Sequence, residues 1–384
     1  MRSENDIAPW NSALFNRCNL LRIYIKNGHR IAVLVYESPD TSTFRYRGYN
    51  LFQITEDINV RWKCIYFFKD ELENIKLYLS DIDLITLIRV KWTFDIEKFV
   101  CDVKSKNIPV LFDVDDLVFN LDFLPLVMNT LNVECLEERY EYWFNYISRI
   151  YFTASKADGF ITTNYYLANL LSEKFQKESK VIPNFLNREQ IEFSNQYLLK
   201  KVHHEDSFTI GYFSGTPSHV NDFRECYQEI MQLLSEYSHI NLEVVGFMEF
   251  PNEMLHFIKN GRIKLIPLVN FLELQRLISM VDVNIAPLVT NTFTNCKSEL
   301  KFFEAAAVKT ITCATPTYTF SNCIKEGITG FLCNQGDWYN KIKNIYLKNI
   351  DIENVNNQAY EYTMNTYAGS RIIEKIEEVY DGFL

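Results

Sequence analysis

Apolar residues along the chain gather in short unbroken runs, and the runs form two series separated by a polar stretch. The first series is IAVLVYES (31–38), WKCIYFF (62–68), LITLIRV (84–90), IPVLFDVDD (108–116), GFITTN (159–164) and KVIPNFLN (180–187). Helix-like segments separate them, the longest being the aromatic-rich region 131–156. Runs without polar alternation predict strands buried on both faces, and intervening helices predict a parallel sheet. REQIEFSNQYLLKKVHHEDS (188–207) breaks the rhythm. It then restarts with FTIGYFSG (208–215), a helix over 221–237, INLEVVGF (240–247), IKLIPLV (263–269), a helix over 271–280, VDVNIAPL (281–288), TITCAT (310–315) and GFLCN (330–334).

The pattern predicts two α/β units: a first domain over 1–187, a connection over 188–207 and a second domain over 208–366. A last helix over 367–384 is expected to pack back on the first domain. A chain of 384 residues exceeds one comfortable core, which agrees with two domains. Facing doubly wound sheets enclose a cleft at the C-terminal ends of their strands, where ligands of such sheets bind.

Composition narrows the class. With 47% hydrophobic and 23% charged residues the chain is globular, and a net charge of −10 argues against nucleic acid or an anionic bilayer as a long-range partner. MRSENDIAPW lacks the plan of a signal peptide and no run of about 18 apolar residues occurs, so a cytoplasmic location is expected. The nine cysteines form no C-x-x-C pair. Cys313, Cys323 and Cys333 sit in or beside apolar runs, which predicts buried thiols rather than a disulfide or zinc.

Candidate chemistry lies just after the strands. In FSGTPSH (213–219), the small residues Ser214, Gly215 and Thr216 let backbone N–H groups approach a phosphate ahead of a helix, although any strand-to-helix turn has this composition. In KSELKFFEAAAVKTITCATP (297–316), a helix over 298–308 puts Lys297, Lys301 and Glu304 on one stripe. A glutamate there can accept from both hydroxyls of a ribose, and lysines near the helix N-terminus suit a pyrophosphate. The bland alternative is an exposed helix with a Lys301–Glu304 pair worth about 0.3 kcal/mol. Asp113, Asp115 and Asp116 close the strand IPVLFDVDD; they suit a Mg2+-dependent phosphate transfer, a metal-binding Asp-x-Asp, metal-free positioning of an acceptor, or a cap on LVFN. In ESPDTSTFRYRGYN (37–50), Arg45 and Arg47 suit an anionic acceptor or donor and Tyr46 a sugar face; a solvated loop fits as well.

The stretch from Lys297 to Cys333, with EAAA, TPTY and IKEGITGFL, resembles the C-terminal signature of the family 4 glycosyltransferases. VDVNIAPL, GFITTN and KVIPNFLN resemble the segments around it in the same order, so the likeness spans most of 108–345. It implies the GT-B fold of two facing Rossmann-like domains. It makes Glu304 the second glutamate of the E-x7-E motif, the ribose ligand; the first falls on Cys296, a departure. A related branch with a K-S-x-x-K signature implies that Lys297 and Lys301 take over the diphosphate. The family's basic pair after the first strand of the second domain is missing, with His219 in its place and Arg224 a turn further.

The resemblance implies transfer of a sugar from a nucleotide-sugar donor to a glycan or lipid-linked acceptor, with retention, without metal, and with no cofactor beyond the co-substrate. In that reading Asp115, Asp116 and Lys301 are catalytic; Ser214, Gly215, Thr216, His219, Lys297, Lys301 and Glu304 bind the donor. Arg45, Tyr46, Arg47 and Asp113 meet the acceptor. The branch points to bacterial surface-polysaccharide synthesis, with other glycosyltransferases and the inner face of the membrane as further partners. Two alternatives stay open: a catalytically silent GT-B partner module, and a metal-dependent phosphotransferase built on Asp113, Asp115 and Asp116.

Overall fold

The structure, a computed structural model, describes residues 8–38, 42–199, 207–215 and 220–384. The first sheet holds β1 (Arg30–Tyr36), β2 (Trp62–Phe68), β3 (Leu84–Ile88), β4 (Val110–Val114), β5 (Gly159–Thr162) and β6 (Ser179–Val181). The second holds β7 (Phe208–Gly215), β8 (Ile240–Gly246), β9 (Ile263–Ile266), β10 (Val283–Ala286), β11 (Ile311–Ala314) and β12 (Phe331–Leu332). Every neighbouring pair among them is parallel.

The strand orders are β2-β1-β3-β4-β5-β6 and β12-β11-β10-β7-β8-β9. The second is the Rossmann order. Chain direction across each sheet reverses between β1 and β3 and between β7 and β10, and such switch points are where open α/β sheets leave a crevice. The continuous apolar runs behave as their lack of alternation predicts: Ile31 to Val35 and Leu84, Ile85, Leu87 and Ile88 are all fully buried.

Several segments differ from the sequence reading, each for a local reason. KVIPNFLN contributes only its beginning to β6, because Pro183 has no N–H for the ladder. The polar connection is a helix, Arg188–Leu198, started by a reciprocal cap in which the Asn187 side chain accepts from Gln190 N and the Gln190 side chain accepts from Asn187 N. IKLIPLV pairs only over Ile263–Ile266, at the sheet edge, where Lys264 and Leu265 stay exposed. The last helix is Ser370–Asp381, and it reaches β2, where Trp62 Nε1 donates to Asp381 at 2.8 Å. Cys313, Cys323 and Cys333 are buried free thiols. Among the described residues no helix is long and apolar enough to cross a membrane.

The largest difference concerns FRYRGYN. Instead of a solvated loop, Arg45–Tyr49 forms a π-helical turn that runs into the α-helix Asn50–Thr55. Its side chains are buried: Phe44, Tyr46 and Tyr49 join one apolar cluster with Trp10 and Tyr66 of the first half and Phe271, Phe303 and Tyr367 of the second. Arg47 and Asp113 are wholly buried and saturate each other, Nε to Oδ1 at 2.9 Å and Nη2 to Oδ2 at 2.7 Å. Arg47 Nη1 donates to Ile182 O at 2.7 Å and to Asn184 Oδ1 at 3.2 Å. Both residues, expected at an acceptor, are therefore structural here: every polar atom of the pair is already engaged.

Removing one partner of such a pair strands a buried charge. Asp113→Ala is expected to lower stability by about 3–5 kcal/mol in urea unfolding followed by tryptophan fluorescence. A loss under about 1 kcal/mol would show the pair to be replaceable by water.

Candidate functional site

Two clusters of charge face each other where the strand ends of the two sheets meet. The first is built at the ends of β3 and β4. Arg89 follows β3 in a left-handed conformation, φ 47°, which turns its guanidinium across the ends of the neighbouring strands. Arg89 Nη1 lies 2.9 Å from Asp115 Oδ1 and 3.5 Å from Asp116 Oδ2, and Nη2 donates to the Tyr146 hydroxyl at 3.0 Å. Thr43 Oγ1 donates to Asp115 Oδ2 at 2.9 Å. Burial pushes the Asp115 carboxyl up, but Arg89 and the Thr43 hydroxyl outweigh it and hold the group below its ordinary value. Asp116 reaches the second half of the chain, 3.6 Å from Lys297 Nζ.

The second cluster sits on the helix Leu300–Ala306, shorter than the 298–308 expected. Lys301 Nζ lies 5.0 Å from the centre of the Tyr212 ring and, among the described residues, has no hydrogen-bond partner. Burial lowers its pKa to about 8, with Lys297 pushing the same way against Asp222 and Glu304. One turn on, the buried Glu304 carboxylate is held from the first half of the chain. Tyr46 OH donates to Oε1, Gln190 Nε2 donates to it at 3.3 Å, and Arg45 Nη2 lies 3.8 Å away. Burial raises the Glu304 pKa, and Arg45, Tyr46 and Gln190 moderate that.

Arg45 is sandwiched between rings, 4.4 Å from the Tyr46 centroid and 4.5 Å from Phe271. Its Nε and Nη1 are buried without partners among the described residues. A buried cation with free N–H groups is an unsatisfied donor to an anion. At the end of β7, Gly215 has φ 76° and, among the described residues, nothing within 4 Å of where a side chain would stand. Ser214 Oγ is committed, donating to Phe247 O at 2.7 Å. Thr216 and His219 lie outside the described residues.

The structure thus brings Lys297, Lys301, Glu304, Arg45 and Tyr46 together, and sets Asp116 against Lys297. Arg47 and Asp113 lie behind them. Asp113 and Asp115 each carry an arginine partner, and no three His, Cys, Asp or Glu side chains among the described residues gather as metal ligands would. Arg89, Thr43, Tyr146 and Gln190 were missed from sequence. Arg89 was findable, being the first residue past β3 at a switch point; Gln190 was signalled only by the N-x-x-Q cap.

No family model matches the sequence, and no curated protein matches it. Among solved structures the fold is close to that of HepE from Anabaena, crystallised with UDP and glucose, at 12% identity and a TM-score of 0.58 over 92% of this chain and 100% of the other. A glycosyltransferase from Rickettsia africae superposes at 13% identity and TM-score 0.61 over 92% and 98%. Sucrose-phosphate synthase from Thermosynechococcus elongatus does so at 12% and 0.56 over 92% and 99%. The fold is GT-B: two parallel Rossmann-like sheets with a cleft between them.

Asp115 has a depressed pKa, so its ion pair stabilises the fold above the unfolded pKa, about 3.9, and the benefit disappears as pH falls through the folded value. Arg89→Met should therefore cost about 3 kcal/mol at pH 7 and progressively less below about pH 4, read by urea unfolding at several pH values. An equal loss at every pH would mean that Arg89 acts through packing alone.

Proposed function

We propose that this GT-B chain is a nucleotide-sugar-dependent glycosyltransferase whose donor sits between Gly215, Lys297, Lys301 and Glu304. The observation that carries the reading is that Lys301 Nζ and Arg45 Nε and Nη1 are buried with no hydrogen-bond partner among the described residues, beside a carboxylate placed to take a ribose. The location at the β7/β10 switch point of a GT-B cleft supports it, as do the nucleotide complexes of HepE.

In this reading Glu304 exchanges its Tyr46 and Gln190 bonds for the ribose hydroxyls. Lys301, Lys297 and the Gly215 backbone then hold the diphosphate. Transfer breaks the bond from the sugar C1 to the diphosphate oxygen, which keeps the electron pair, while the acceptor hydroxyl oxygen bonds to C1 and its proton passes to the leaving diphosphate. Cations fixed in a dry cleft stabilise that charge most in the transition state. Asp116, the more exposed of the strand-end pair, orients the acceptor hydroxyl, while Asp115 holds Arg89 in place. Retention at C1, a metal-free reaction, no cofactor beyond the co-substrate, and a glycan or lipid-linked acceptor in surface-polysaccharide synthesis complete the proposal.

A second reading has one observation in its favour. Tyr46 of the first domain and Gln190 of the connection already occupy the Glu304 carboxylate, and aromatic packing continues across both halves, as a silent partner module would allow. Donor turnover separates the two.

Calorimetric titration of UDP, GDP and dTDP in the presence of EDTA is expected to give binding of one of them, UDP first among candidates. Glu304→Ala should abolish that binding and Lys301→Ala weaken it at least tenfold, with a loss of about two decades in kcat. Affinity should fall as pH rises through about 8, where free Lys301 loses its proton, and this slope should vanish in Lys301→Met. A folded protein that binds none of the three nucleotides would overturn the reading.

A further inference from the structure

The helix Glu137–Lys156 meets the first-half core by one face only, where Ile147, Ile150 and Ala154 are fully buried. At about 100° per residue, the opposite face carries Glu141, Asn145, Ser148 and Phe152. Every residue from 134 to 142 is exposed, so the first turn of the helix stands clear of the body. An exposed helix face is ordinarily polar. Here it is aromatic: Tyr140, Tyr142, Phe144 and Phe152 are 46%, 60%, 46% and 42% exposed. Tyr140 stacks with Phe144 and Tyr142 with Tyr146, their ring centres 6.3 and 6.4 Å apart.

Each ring measures about 150–250 Å2, so four at roughly half exposure offer about 300–500 Å2 of apolar surface. A standard interface takes about 800 Å2 from each partner, a little over half of it apolar, or about 450 Å2. The face therefore suits a protein partner. Between its aromatic flanks runs a polar line, Glu141, Asn145 and Arg149, at i, i+4 and i+8. That line borders two shallow depressions of about 500 and 370 Å3, one shared with Tyr140 and Phe144, the other with Tyr142 and Tyr146. Arg149 engages only its Nε, with Trp92 O at 2.8 Å, and Lys156 rests 4.8 Å from the Phe152 centroid. Among the described residues neither of these cations has an ion pair, and nor do Glu138 and Glu141.

The order of these charges names the partner. On the outward face the acids Glu137, Glu138 and Glu141 lie at the N-terminal end and the bases Arg149 and Lys156 at the C-terminal end. Such a face is complementary to itself when a second helix runs antiparallel. A two-fold pairing centred on Asn145 sets Glu141 of each copy opposite Arg149 of the other, and Glu138 opposite Phe152, one turn from Lys156. The helix dipoles then oppose, whereas a parallel pairing would lay acid on acid. The three glutamates also argue against an anionic bilayer as the cover. We propose that this chain forms a two-fold dimer through antiparallel pairing of its Glu137–Lys156 helices. The dimer does not depend on the glycosyltransferase reading. Tyr146, whose hydroxyl accepts from Arg89, borders the same face, so the second copy would stand beside the first-domain wall of the cleft.

Sedimentation equilibrium of the full chain over a range of concentrations is expected to show a monomer–dimer equilibrium that weakens with added salt. Glu141→Arg and Arg149→Glu each set like charges opposite one another twice, and each should weaken the dimer about tenfold or more. Mixing the two variants should restore it, because a mixed pair regains both contacts, a rescue that a purely apolar contact would not give. Far-UV circular dichroism would verify that both variants fold. Asn145→Cys provides a second test that leaves Arg149 in place. Residue 145 faces its own copy in this pairing, so oxidation should give a dimer linked through it, identified by peptide mass mapping. A wild type that stays monomeric at every concentration overturns the proposal, as does a dimer that neither charge variant weakens. So does a mixture that stays monomeric while residue 145 fails to crosslink.

Discussion

The Arg47–Asp113 ion pair fixes the segment on which the cleft depends. Two fully buried charges are expensive to desolvate, and they are tolerated only because the guanidinium fork meets both carboxylate oxygens and its remaining N–H groups reach Ile182 O and Asn184 Oδ1. That geometry nails the π-helical turn Arg45–Tyr49 to the end of β4 and to the residues after β6. Once Arg47 points inward, Arg45 and Tyr46 are obliged to point toward the second half of the chain. The interdomain contact at Glu304 follows from a contact made wholly within the first domain.

That contact sets a competition. The Glu304 carboxylate cannot serve Tyr46, Gln190 and a ribose together, so a donor gains only the difference between its own bonds and those it displaces. If a nucleotide sugar takes Glu304 as proposed, its binding and the seating of the first domain on the second become one equilibrium. Such linkage suits an enzyme that must exclude water before the sugar leaves its phosphate and open again afterwards. It equally suits a module that stays shut. Which of the two this chain is turns on the few kcal/mol by which nucleotide bonds exceed those of Tyr46 and Gln190, a margin favoured by Arg45 Nε and Nη1 and Lys301 Nζ, which have no hydrogen bond among the described residues.

The fold was legible because buried parallel strands leave a direct trace: β1 to β5, β7, β8, β10 and β11 all coincide with apolar runs. Edges were less legible, since β9 and β12 are short and half-exposed and β6 is cut by Pro183. The second-half cluster was visible from the spacing of Lys297, Lys301 and Glu304, which is local. What sequence could not give was the partner of each charge. Arg45, Tyr46 and Arg47 are adjacent in the chain yet have two different destinies, decided by a π turn whose register no local pattern announces. Gln190 lies in a stretch that reads as a linker because its polar face contacts the other domain rather than solvent.

Cys296 ties the two halves of the chain together without any charge of its own. It is fully buried in the first-half core beside Phe293, and burial pushes its thiol well above the ordinary range, so it supplies neither charge nor a strong hydrogen bond. The Asn164 side chain binds its carbonyl at 2.8 Å while capping the helix Tyr165–Phe175 through Leu167 N at 2.9 Å. Position 296 is thus a hydrophobic and backbone anchor between the two halves. The next residue, Lys297, is turned toward Asp116 by that anchoring. A sugar entering here would meet an aspartate from the first domain and a lysine from the second in place of a glutamate from the second alone. Recognition of the sugar would then require both halves to be seated, which makes the same buried contacts that close the cleft part of its specificity.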